Sequence, residues 1–499
     1  MKKIYCIAFC LLGLLSSLFS QKVAHTGISK TNISLRGNAV VLGQVTINAP
    51  SAGKVILRFD GHCLSSEGDR IVLAASQTTN WGPNDECVEL EAANVDVNSN
   101  AFSHTRAYDV PAGDQTFYAV AQNFFEMDGS GTASIYGSLT AEWFPEIHGK
   151  AFARHKGFFY ENIPVEGAPT AFNSLTIDAP VSGKVLVRFD GKCVSSYGDL
   201  MFFAASNTPT WSDYDGSTSN EVIDNDLNRF SFSHARMYNV AAGSHTFYAV
   251  VENFYEVYGN GFASVYGSLT VQFYPETEGQ TLTFQPVTTP FGVNIEGPPV
   301  TVGQISLNAP VEGKVEINFV GTCIGSNGDQ LRLAASNTPN WGPEDNNITF
   351  EPYSSDLNRM SFSHTRVYDV AAGNHDFYAV VQNYEEFEGS GLAVIYASFT
   401  AKYFPEGMIA VQEPEAFRSV KVWPNPASDF VHVEFAELSG EAFSLALCDQ
   451  NGRILKTFEK SALDFSQQLK WEVSGLPAGT YFVKFTNTSG TALRPLIHR

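Results

Sequence analysis

The sequence predicts an all-β protein with three tandem antiparallel β-sandwich or jelly-roll domains and a C-terminal immunoglobulin-like β-sandwich. Short alternating or apolar segments such as KVILRF at 54–59 recur between Gly and Pro residues, which is typical of strands. We find no amphipathic helical stretch longer than about two turns. Equivalent residues also recur at a spacing of 130, as Cys63, Cys193 and Cys323 do. Many short strands in a repeated unit favour sandwiches.

The N-terminal residues 1–20 are predicted to be a secretory signal peptide. Lys2 and Lys3 precede an apolar run at 4–19, and Ser20 is the predicted cleavage position. No later run of about 18 apolar residues follows, so the sequence predicts a mature chain without a transmembrane anchor. These features predict an exported protein.

The composition excludes some partners. A net charge of −21 argues against nucleic acid, which rewards Lys and Arg. Aromatic residues make up 13% of the chain and charged residues 17%, which is enough apolar material for ordered cores. The repeated cysteines are predicted to be small buried side chains, and Cys63 with Cys87 is a candidate disulfide of the first copy only.

The repeat defines the domain organisation. The predicted sandwiches span 33–146, 163–276 and 293–406, with linkers of 16 residues between them and a further linker at 407–417. Because a unit of this length can bury its own core, we expect beads on a string. The segments APSAGKV at 49–55 and IYGSLTAEWFP at 135–145 resemble the complement and tumour-necrosis-factor jelly rolls. That resemblance implies the jelly-roll fold and covers no functional motif.

The most similar stretch of the three copies is FSHTRAYDVPAG at 102–113, which returns as FSHARMYNVAAG at 232–243 and FSHTRVYDVAAG at 362–373. On a strand, its His, Arg and Tyr share one face with Phe and Val. One interpretation is a structural network with Arg tied to a carboxylate and stacked on an aromatic ring. The other is a ligand site at the sandwich edge. The candidate ligand residues are His104, Arg106, Tyr108, His234, Arg236, Tyr238, His364, Arg366 and Tyr368.

Two further sets of repeated residues have a binding and a structural interpretation. Trp81, Trp211 and Trp341 are candidate sugar-stacking platforms or core anchors. Oxygen-rich loops follow each Trp and suit calcium, although no EF-hand pattern is present, and the alternative is turn capping by Asx side chains. The candidate calcium ligands are Asp85, Asp96, Asn98, Asp215, Asp226, Asn228, Asp345, Asp356 and Asn358. No other cofactor is predicted.

Evidence for catalysis is weak in the sequence. Each copy repeats one His and one Cys, which is too few for a zinc site. No nucleophile stands beside the His on its strand face, so no triad is evident. The hydrolase alternative therefore depends on Asp69, His104 and Glu126, acting on a glycan or a peptide.

The C-terminal segment 418–499 contains PNPASDFVHV, a central NGR turn, LPAGTYFVKF and a basic end. These motifs resemble the type A sorting domain of the type IX secretion system. The resemblance implies an immunoglobulin-like sandwich and export across the outer membrane by the type IX machinery. It therefore also implies a bacterial protein that is secreted or attached to the outer-membrane surface. The motif residues are Pro424, Asn425, Pro426, Asn451, Gly452, Leu476, Pro477, Ala478 and Gly479.

From the sequence we expect a non-catalytic, multivalent binding or adhesion protein whose partner is an extracellular glycan or surface protein. Near-copies favour this function, because repetition strengthens weak binding. The alternatives are the hydrolase described above and a structural surface-layer spacer.

Overall fold

The computed structural model describes most of residues 21–499, and the predicted signal peptide lies outside the described residues. The described ranges are 21–81, 86–91, 99–126, 129–147, 150–211, 216–222, 229–256, 261–275, 282–289, 292–295, 297–326, 329–341, 346–352, 359–386, 391–405, 421–434, 443–449, 454–460, 469–477, 479–487 and 490–499. Within these ranges every regular element is a β-strand. The all-β prediction is therefore confirmed.

The described part of the chain divides into two compact units, one within residues 21–407 and one that contains residues 421–499. The larger unit contains the three repeats. The strands of the first copy are β1 (Lys22–Ser34), β2 (Val40–Ala49), β3 (Gly53–Ser65), β4 (Asp69–Ser76), β5 (Val88–Glu91), β6 (Ser99–Val110), β7 (Gly113–Glu126), β8 (Thr132–Ile147) and β9 (Lys150–Ala151). Those of the second are β10 (Ala153–Pro164), β11 (Thr170–Ala179), β12 (Gly183–Ser195), β13 (Asp199–Ser206), β14 (Thr218–Glu221), β15 (Arg229–Val240), β16 (Gly243–Glu256) and β17 (Phe262–Pro275). Those of the third are β18 (Leu282–Thr288), β19 (Val293–Asn294), β20 (Val300–Ala309), β21 (Gly313–Ile324), β22 (Asp329–Ser336), β23 (Ile348–Phe350), β24 (Arg359–Val370), β25 (Gly373–Glu386) and β26 (Leu392–Pro405).

Each copy is a sandwich of two antiparallel sheets with the strand order of a jelly roll. In the first copy the inner sheet runs β1-β8-β3-β6 and the outer sheet runs β2-β7-β4-β5. The second and third copies repeat both orders. Consecutive strands thus alternate between the two sheets except β4 and β5, which pair with each other in the outer sheet, and this order is that of a double-sheet jelly roll of eight strands.

The inner sheet is buried on both of its faces. Along β3, Leu57 and Phe59 point into the sandwich core, where each is 0% exposed. The alternate side chains of Arg58 and Asp60 point away from that core, yet they are only 3% and 1% exposed. Something must therefore cover the outer face of this sheet, and the covering surface is provided by the other two copies.

The three copies form one closed ring rather than beads on a string. Strand β6 of the first copy contacts β12 of the second, β15 contacts β21 of the third, and β24 contacts β3 of the first. A head-to-tail contact that returns to its starting copy gives approximate threefold symmetry within a single chain. The prediction of independent beads was wrong, because each inner sheet buries polar and charged side chains against its neighbours.

The segments expected to be linkers are largely strands of the ring. Strand β1 pairs antiparallel with β8, β10 with β17, and β18 with β26, so each adds an edge strand to an inner sheet. The sandwiches therefore begin about ten residues earlier than the predicted bounds. These segments join the sheets because an isolated strand leaves its backbone N–H and C=O groups without partners, and pairing with an inner sheet supplies them.

The smaller unit contains a separate two-sheet domain. Its strands are β27 (Lys421–Trp423), β28 (Phe430–Glu434), β29 (Phe443–Asp449), β30 (Ile454–Lys460), β31 (Leu469–Glu472), β32 (Gly479–Asn487) and β33 (Gly490–His498). One sheet runs β27-β28-β31 and the other β30-β29-β32-β33. Val433, Leu447, Val483 and Phe485 form part of its core, which agrees with the predicted sandwich.

Candidate functional site

The repeated His and Tyr side chains point into the sandwich and hold its two sheets together. In the first copy β5 begins opposite Leu73 and runs antiparallel to β4, so the last residues of β4 extend beyond it. There the backbone N–H of Ala75 donates to His104 Nδ1 at 2.9 Å, and the Tyr108 hydroxyl donates to the carbonyl of Ala75 at 3.2 Å. These side chains satisfy backbone groups that would otherwise need a strand partner. Equivalent bonds join Ala205 to His234, Ala205 to Tyr238, and Ala335 to His364.

The repeated Arg reaches the boundary with the next copy. Arg106 Nη1 lies 3.0 Å from Glu86 Oε1, and Glu86 packs so closely against Gly157 of β10 that a Cβ there would lie 2.2 Å from its carboxylate. The guanidinium of Arg236 lies 4.9 Å from the ring centroid of Phe284, on β18. The structure therefore contains both features of the predicted network, a carboxylate partner and an aromatic neighbour, in different copies and near a boundary. Ligand binding by the His, Arg and Tyr residues stays a prediction.

Two histidines on the N-terminal edge strands face these arginines. His25 and His155 are hydrogen-bonded through Nδ1 to threonine hydroxyls. His25 Nδ1 lies 3.0 Å from Thr140 Oγ1, and His155 Nδ1 lies 2.9 Å from Thr270 Oγ1. Burial, followed by the charge of Arg366, lowers the pKa of His25 to about 3. Burial and then Arg106 lower the pKa of His155 to about 3. Both imidazoles are therefore neutral near pH 7.

Charged side chains meet in the centre of the ring. Lys402 Nζ lies 2.6 Å from Glu316 Oε1 and also forms an ion pair with Glu142. Arg58 forms a second ion pair with Glu316, and the Tyr274 hydroxyl donates to Glu142 Oε2 at 3.1 Å. The residues come from all three copies and are almost completely buried. Such a cluster is tolerated only because each charge has a partner.

The central residues differ between copies, and the differences are complementary. At one position the copies carry Arg58, Arg188 and Asn318, and Arg188 Nη2 donates to Asn318 Oδ1 at 2.6 Å. Three identical copies would bring three like charges together at this position, which is strongly unfavourable in a buried site. The residues at the centre therefore favour a ring that contains one first, one second and one third copy over a ring of three identical copies. This function of the outward face of β3 was not predicted from the sequence, although the charged residues Arg58 and Asp60 at alternate positions were a detectable signal.

A set of three serines occupies equivalent positions at the three boundaries. Each donates its hydroxyl to a backbone carbonyl on the neighbouring copy's β6, β15 or β24. The bonds are Ser138 to Thr365 at 3.0 Å, Ser268 to Thr105 at 3.2 Å and Ser398 to Ala235 at 2.7 Å. The strands that carry the repeated His-Arg-Tyr motif, β6, β15 and β24, therefore also take part in assembly through their backbone carbonyls. The sequence did not predict this contribution.

Asp69, one of the three residues on which the hydrolase alternative depends, serves as a turn anchor. Its carboxylate accepts from Asn123 Nδ2 at 2.7 Å and from the backbone N–H of Gly131 at 3.0 Å. It lies at the first residue of β4, whereas His104 contacts Ala75 six residues later, a separation of about 20 Å along the strand. The side chain of Glu126 lies outside the described residues.

The structure describes the three repeated Trp residues but none of the candidate calcium ligands. Trp81, Trp211 and Trp341 are all half-buried, and Trp81 Nε1 donates to Gln122 Oε1 at 2.8 Å. Trp211 packs edge-on against Phe202 at 5.4 Å. All nine calcium candidates lie outside the described residues. Among the residues that are described, no group of three or more His, Cys, Asp or Glu side chains could hold a metal ion.

The cysteine predictions have separate outcomes. Cys63, Cys193 and Cys323 are buried thiols, as predicted, and burial raises the pKa of each. Cys87 is also a free thiol, so the candidate disulfide between it and Cys63 is not formed.

Clefts open where two copies meet. Between the second and third copies the cleft has a volume of about 530 Å³, and its lining includes His234, Arg236 and Tyr396. The equivalent cleft between the first and second copies has a volume of about 140 Å³, and its lining includes His104 and Tyr266. Symmetry-related positions therefore enclose very different spaces.

In the smaller unit the motif residues are joined to the end of the chain. Asn425 Oδ1 accepts from the backbone N–H of Ile497 at 2.9 Å, and Ala427 exchanges backbone bonds with Ile497 and Arg499 at 2.8 and 3.0 Å. The Tyr481 hydroxyl donates to the carbonyl of Pro477 at 2.7 Å. Asn451, Gly452 and Ala478 lie outside the described residues, whereas Pro424, Pro426, Leu476 and Gly479 are described.

Residues 421–499 match the family described as the secretion system C-terminal sorting domain. The C-terminal segment is therefore a type IX sorting domain, as its motifs predicted, and it directs export to the bacterial cell surface or the extracellular space through the type IX machinery. In the described part of the chain no helix has the length and apolar character needed to cross a membrane. No curated protein matches the chain.

Solved structures show only distant likeness. PNGase F from Flavobacterium meningosepticum is 10% identical over 50% of this chain and 96% of its own, with a TM-score of 0.24. A triple jelly-roll protein of an archaeal virus is 11% identical over 78% of this chain and 90% of its own, with a TM-score of 0.18. A β-glucuronidase from Faecalibacterium prausnitzii is 10% identical over 45% of this chain and 47% of its own, with a TM-score of 0.15. These TM-scores are too low to support a functional argument.

Proposed function

We propose that the chain is a non-catalytic binding or adhesion protein of the cell surface or the extracellular medium. Residues 21–407 act as its binding head, and the sorting domain delivers that head outside the cell. The observation that carries this proposal is the closed ring of three jelly rolls. A ring fixes the clefts at its boundaries and three related outer sheets at set distances, so that several weak contacts to a repetitive partner form together.

The arrangement of the repeated polar residues favours binding over hydrolysis. His104 accepts a backbone hydrogen bond within the sandwich and is 5% exposed, while Asp69 is 1% exposed and anchors a turn. A general acid and base must both reach the reacting centre of one substrate, whereas Asp69 lies at the first residue of β4 and His104 contacts Ala75 near its other end, about 20 Å away. We infer that the exported head recognises an extracellular glycan or a surface protein.

The test uses the purified full chain, fluorescently labelled, on a panel of glycans and extracellular matrix proteins. We expect saturable binding to at least one member and no release of reducing ends or peptides from it. The control is Glu316→Lys, which places a third cation beside Arg58 and Lys402 and should open the ring, so that binding strength falls by tenfold or more.

Two outcomes would contradict the proposal. Turnover of a bound glycan or peptide that is lost in both Asp69→Asn and His104→Gln would favour the hydrolase alternative. Absence of saturable binding to every member of the panel, with the ring intact by light scattering, would favour the structural spacer.

A further inference from the structure

Three aromatic side chains form a cluster beside the outer sheet of the second copy. The ring centroid of Phe202 lies 5.4 Å from that of Trp211 and 5.3 Å from that of Phe254. Phe202 and Trp211 are half-buried, and Phe254 is 64% exposed. At the position of Phe202 the first copy carries Val72 and the third carries Arg332, so this aromatic cluster is specific to the second copy.

The rings of the aromatic cluster meet at steep angles. The planes of Phe202 and Trp211 differ by 75°, and those of Phe202 and Phe254 differ by 53°. Such rings do not form one flat surface on which a sugar could stack, but they can surround a compact group. Since the face of an aromatic ring is negative, a group held by several rings is favoured when it is a cation.

A carboxylate lies beside these rings. Glu252 is directly opposite Phe202 in the pairing of β16 with β13, and the Trp211 side chain donates a hydrogen bond to it. Burial raises the pKa of Glu252, and the bond from Trp211 opposes this rise. Phe202 also lines the cleft that contains Arg236 and Arg359, but Arg359 pairs with a carboxylate of β14 and Arg236 packs on an aromatic ring of β18. Within the described residues no Lys, Arg or His forms an ion pair with Glu252, so it is available to a cation of a partner.

The other two copies carry Gln in place of this Glu, and the amide satisfies two groups at once. In the first copy Gln122 accepts from the Trp indole at 2.8 Å and donates to the carbonyl of Gly37. In the third copy Gln382 Nε2 donates to the carbonyl of Gly297 at 2.6 Å. The equivalent carbonyl of the second copy is that of Gly167, and a carboxylate has no hydrogen to donate to it. The second copy therefore presents two acceptors where the other copies form a hydrogen bond.

We propose that Glu252 and the aromatic cluster bind a primary ammonium group, that of a Lys side chain on a surface protein. The ammonium donates to the Glu252 carboxylate and to the carbonyl of Gly167, and the aliphatic carbons of the Lys pack on Phe202 and Phe254. A chain with a net charge of −21 also attracts a basic surface. This assignment rests on the proposed binding function and names one chemical group of the partner.

The other copies supply variants that remove the site and are compatible with the fold. Glu252→Gln introduces the residue of the first and third copies and restores a donor for the carbonyl of Gly167. It should therefore raise the midpoint of thermal unfolding. Phe202→Val introduces the residue of the first copy. The matched control is Glu161→Gln, which removes the same charge at an exposed residue that bonds Tyr266 instead.

The experiment titrates the full chain at pH 7.5 with Nα-acetyl-lysine amide, followed by saturation-transfer NMR. The comparison ligands are Nα-acetyl-norleucine amide, which lacks the charge, choline, which lacks N–H groups, and glucosamine, an amino sugar. We expect the lysine derivative to bind at least tenfold more tightly than each of them. Glu252→Gln should weaken its binding tenfold or more and Phe202→Val about fivefold, whereas Glu161→Gln should change it less than twofold.

Equal binding of the norleucine derivative would overturn the need for a cation, and equal binding of choline would overturn the need for N–H donors. Equal binding of glucosamine would overturn the assignment to Lys in favour of an amino sugar. Unchanged binding in Glu252→Gln would overturn the location, and lack of binding by the unaltered chain would overturn the whole assignment. The glycan and protein panel is measured in parallel. If panel binding persists in a chain that does not bind the lysine derivative, the ammonium site fails and the proposed binding function stands.

Discussion

Replacement of Lys402 by Met is expected to destabilise the ring far more than loss of an ordinary ion pair. Lys402 is 1% exposed, and its ammonium lies between the carboxylates of Glu142 and Glu316. Methionine fills a similar volume without the charge. The variant therefore leaves two buried carboxylates with Arg58 as the cation closest to Glu316.

The magnitude follows from the burial of the cluster. Removal of one member of a buried ion pair typically costs 3–5 kcal/mol, and we expect a loss of about 4 kcal/mol at pH 8. Burial raises the pKa of Glu142, and the neighbouring Glu316 raises it further. For Glu316, burial acts in the same direction, but Arg58 and Lys402 outweigh it and hold the pKa at about 2.

The pH dependence has a definite sign. Without Lys402, at least one carboxyl group of the folded variant has a pKa above its unfolded value. Such a group contributes stability below the unfolded pKa, and this contribution is lost as pH rises through the folded pKa. The difference in unfolding free energy between the variant and the unaltered chain should therefore be smaller at pH 5 than at pH 8.

The assay is urea unfolding of the full chain at both pH values, followed by near-UV circular dichroism. Lys54→Met is the matched control, because Lys54 and Asp109 form an exposed pair worth at most about 1 kcal/mol. The double variant Glu142→Gln/Lys402→Met should recover most of the lost stability, since the second carboxylate is neutralised. Equal losses in Lys402→Met and Lys54→Met, or an equal loss at both pH values, would refute the reasoning.

Three further outcomes are expected. His155, whose pKa is about 3 in the fold, must remain neutral, so stability falls as pH drops below about 6.5, by on the order of 2 kcal/mol at pH 5. His155→Gln introduces the residue that the third copy carries at the equivalent position, Gln285, and should remove this pH-dependent loss of stability. The measurement is urea unfolding at pH 5 and pH 7.5, and an unchanged difference between the two pH values would contradict the expectation. The second copy alone, residues 153–276, exposes the Arg188 face and should form no stable trimer by light scattering, whereas a monodisperse trimer would show that the central residues do not select copies. Asn425→Ala removes the bond to Ile497 and should cost about 1 kcal/mol in the sorting domain and reduce the extracellular fraction, while an unchanged extracellular fraction would separate this contact from export.

Local sequence features predicted the fold class and the export route. Alternating segments such as KVILRF indicate strands, because successive side chains of a strand point to opposite faces of its sheet. The 130-residue spacing of Cys63, Cys193 and Cys323 revealed three copies, and all three residues occupy buried core positions as expected. The motifs from 421 onward identified the sorting domain because they are short and linear.

The candidate site was less predictable from the sequence. The sequence indicated that His104, Arg106 and Tyr108 share one strand face, and the structure places His104 and Tyr108 against Ala75 inside the sandwich. It did not indicate that the opposite face of the same strand would be covered. The cleft beside Arg236 exists only where the third copy lies opposite the second.

The sequence by itself determined that the chain contains three jelly-roll copies and an export domain, because strand periodicity, repetition and linear motifs are local properties. Only the tertiary structure decided that the copies close into a ring and that one boundary holds an open cleft. Arg58, Glu142 and Lys402 are far apart in the chain, and each alone would be expected at the surface. They are buried together because opposite charges from different copies compensate the loss of water, and that compensation depends on packing between copies.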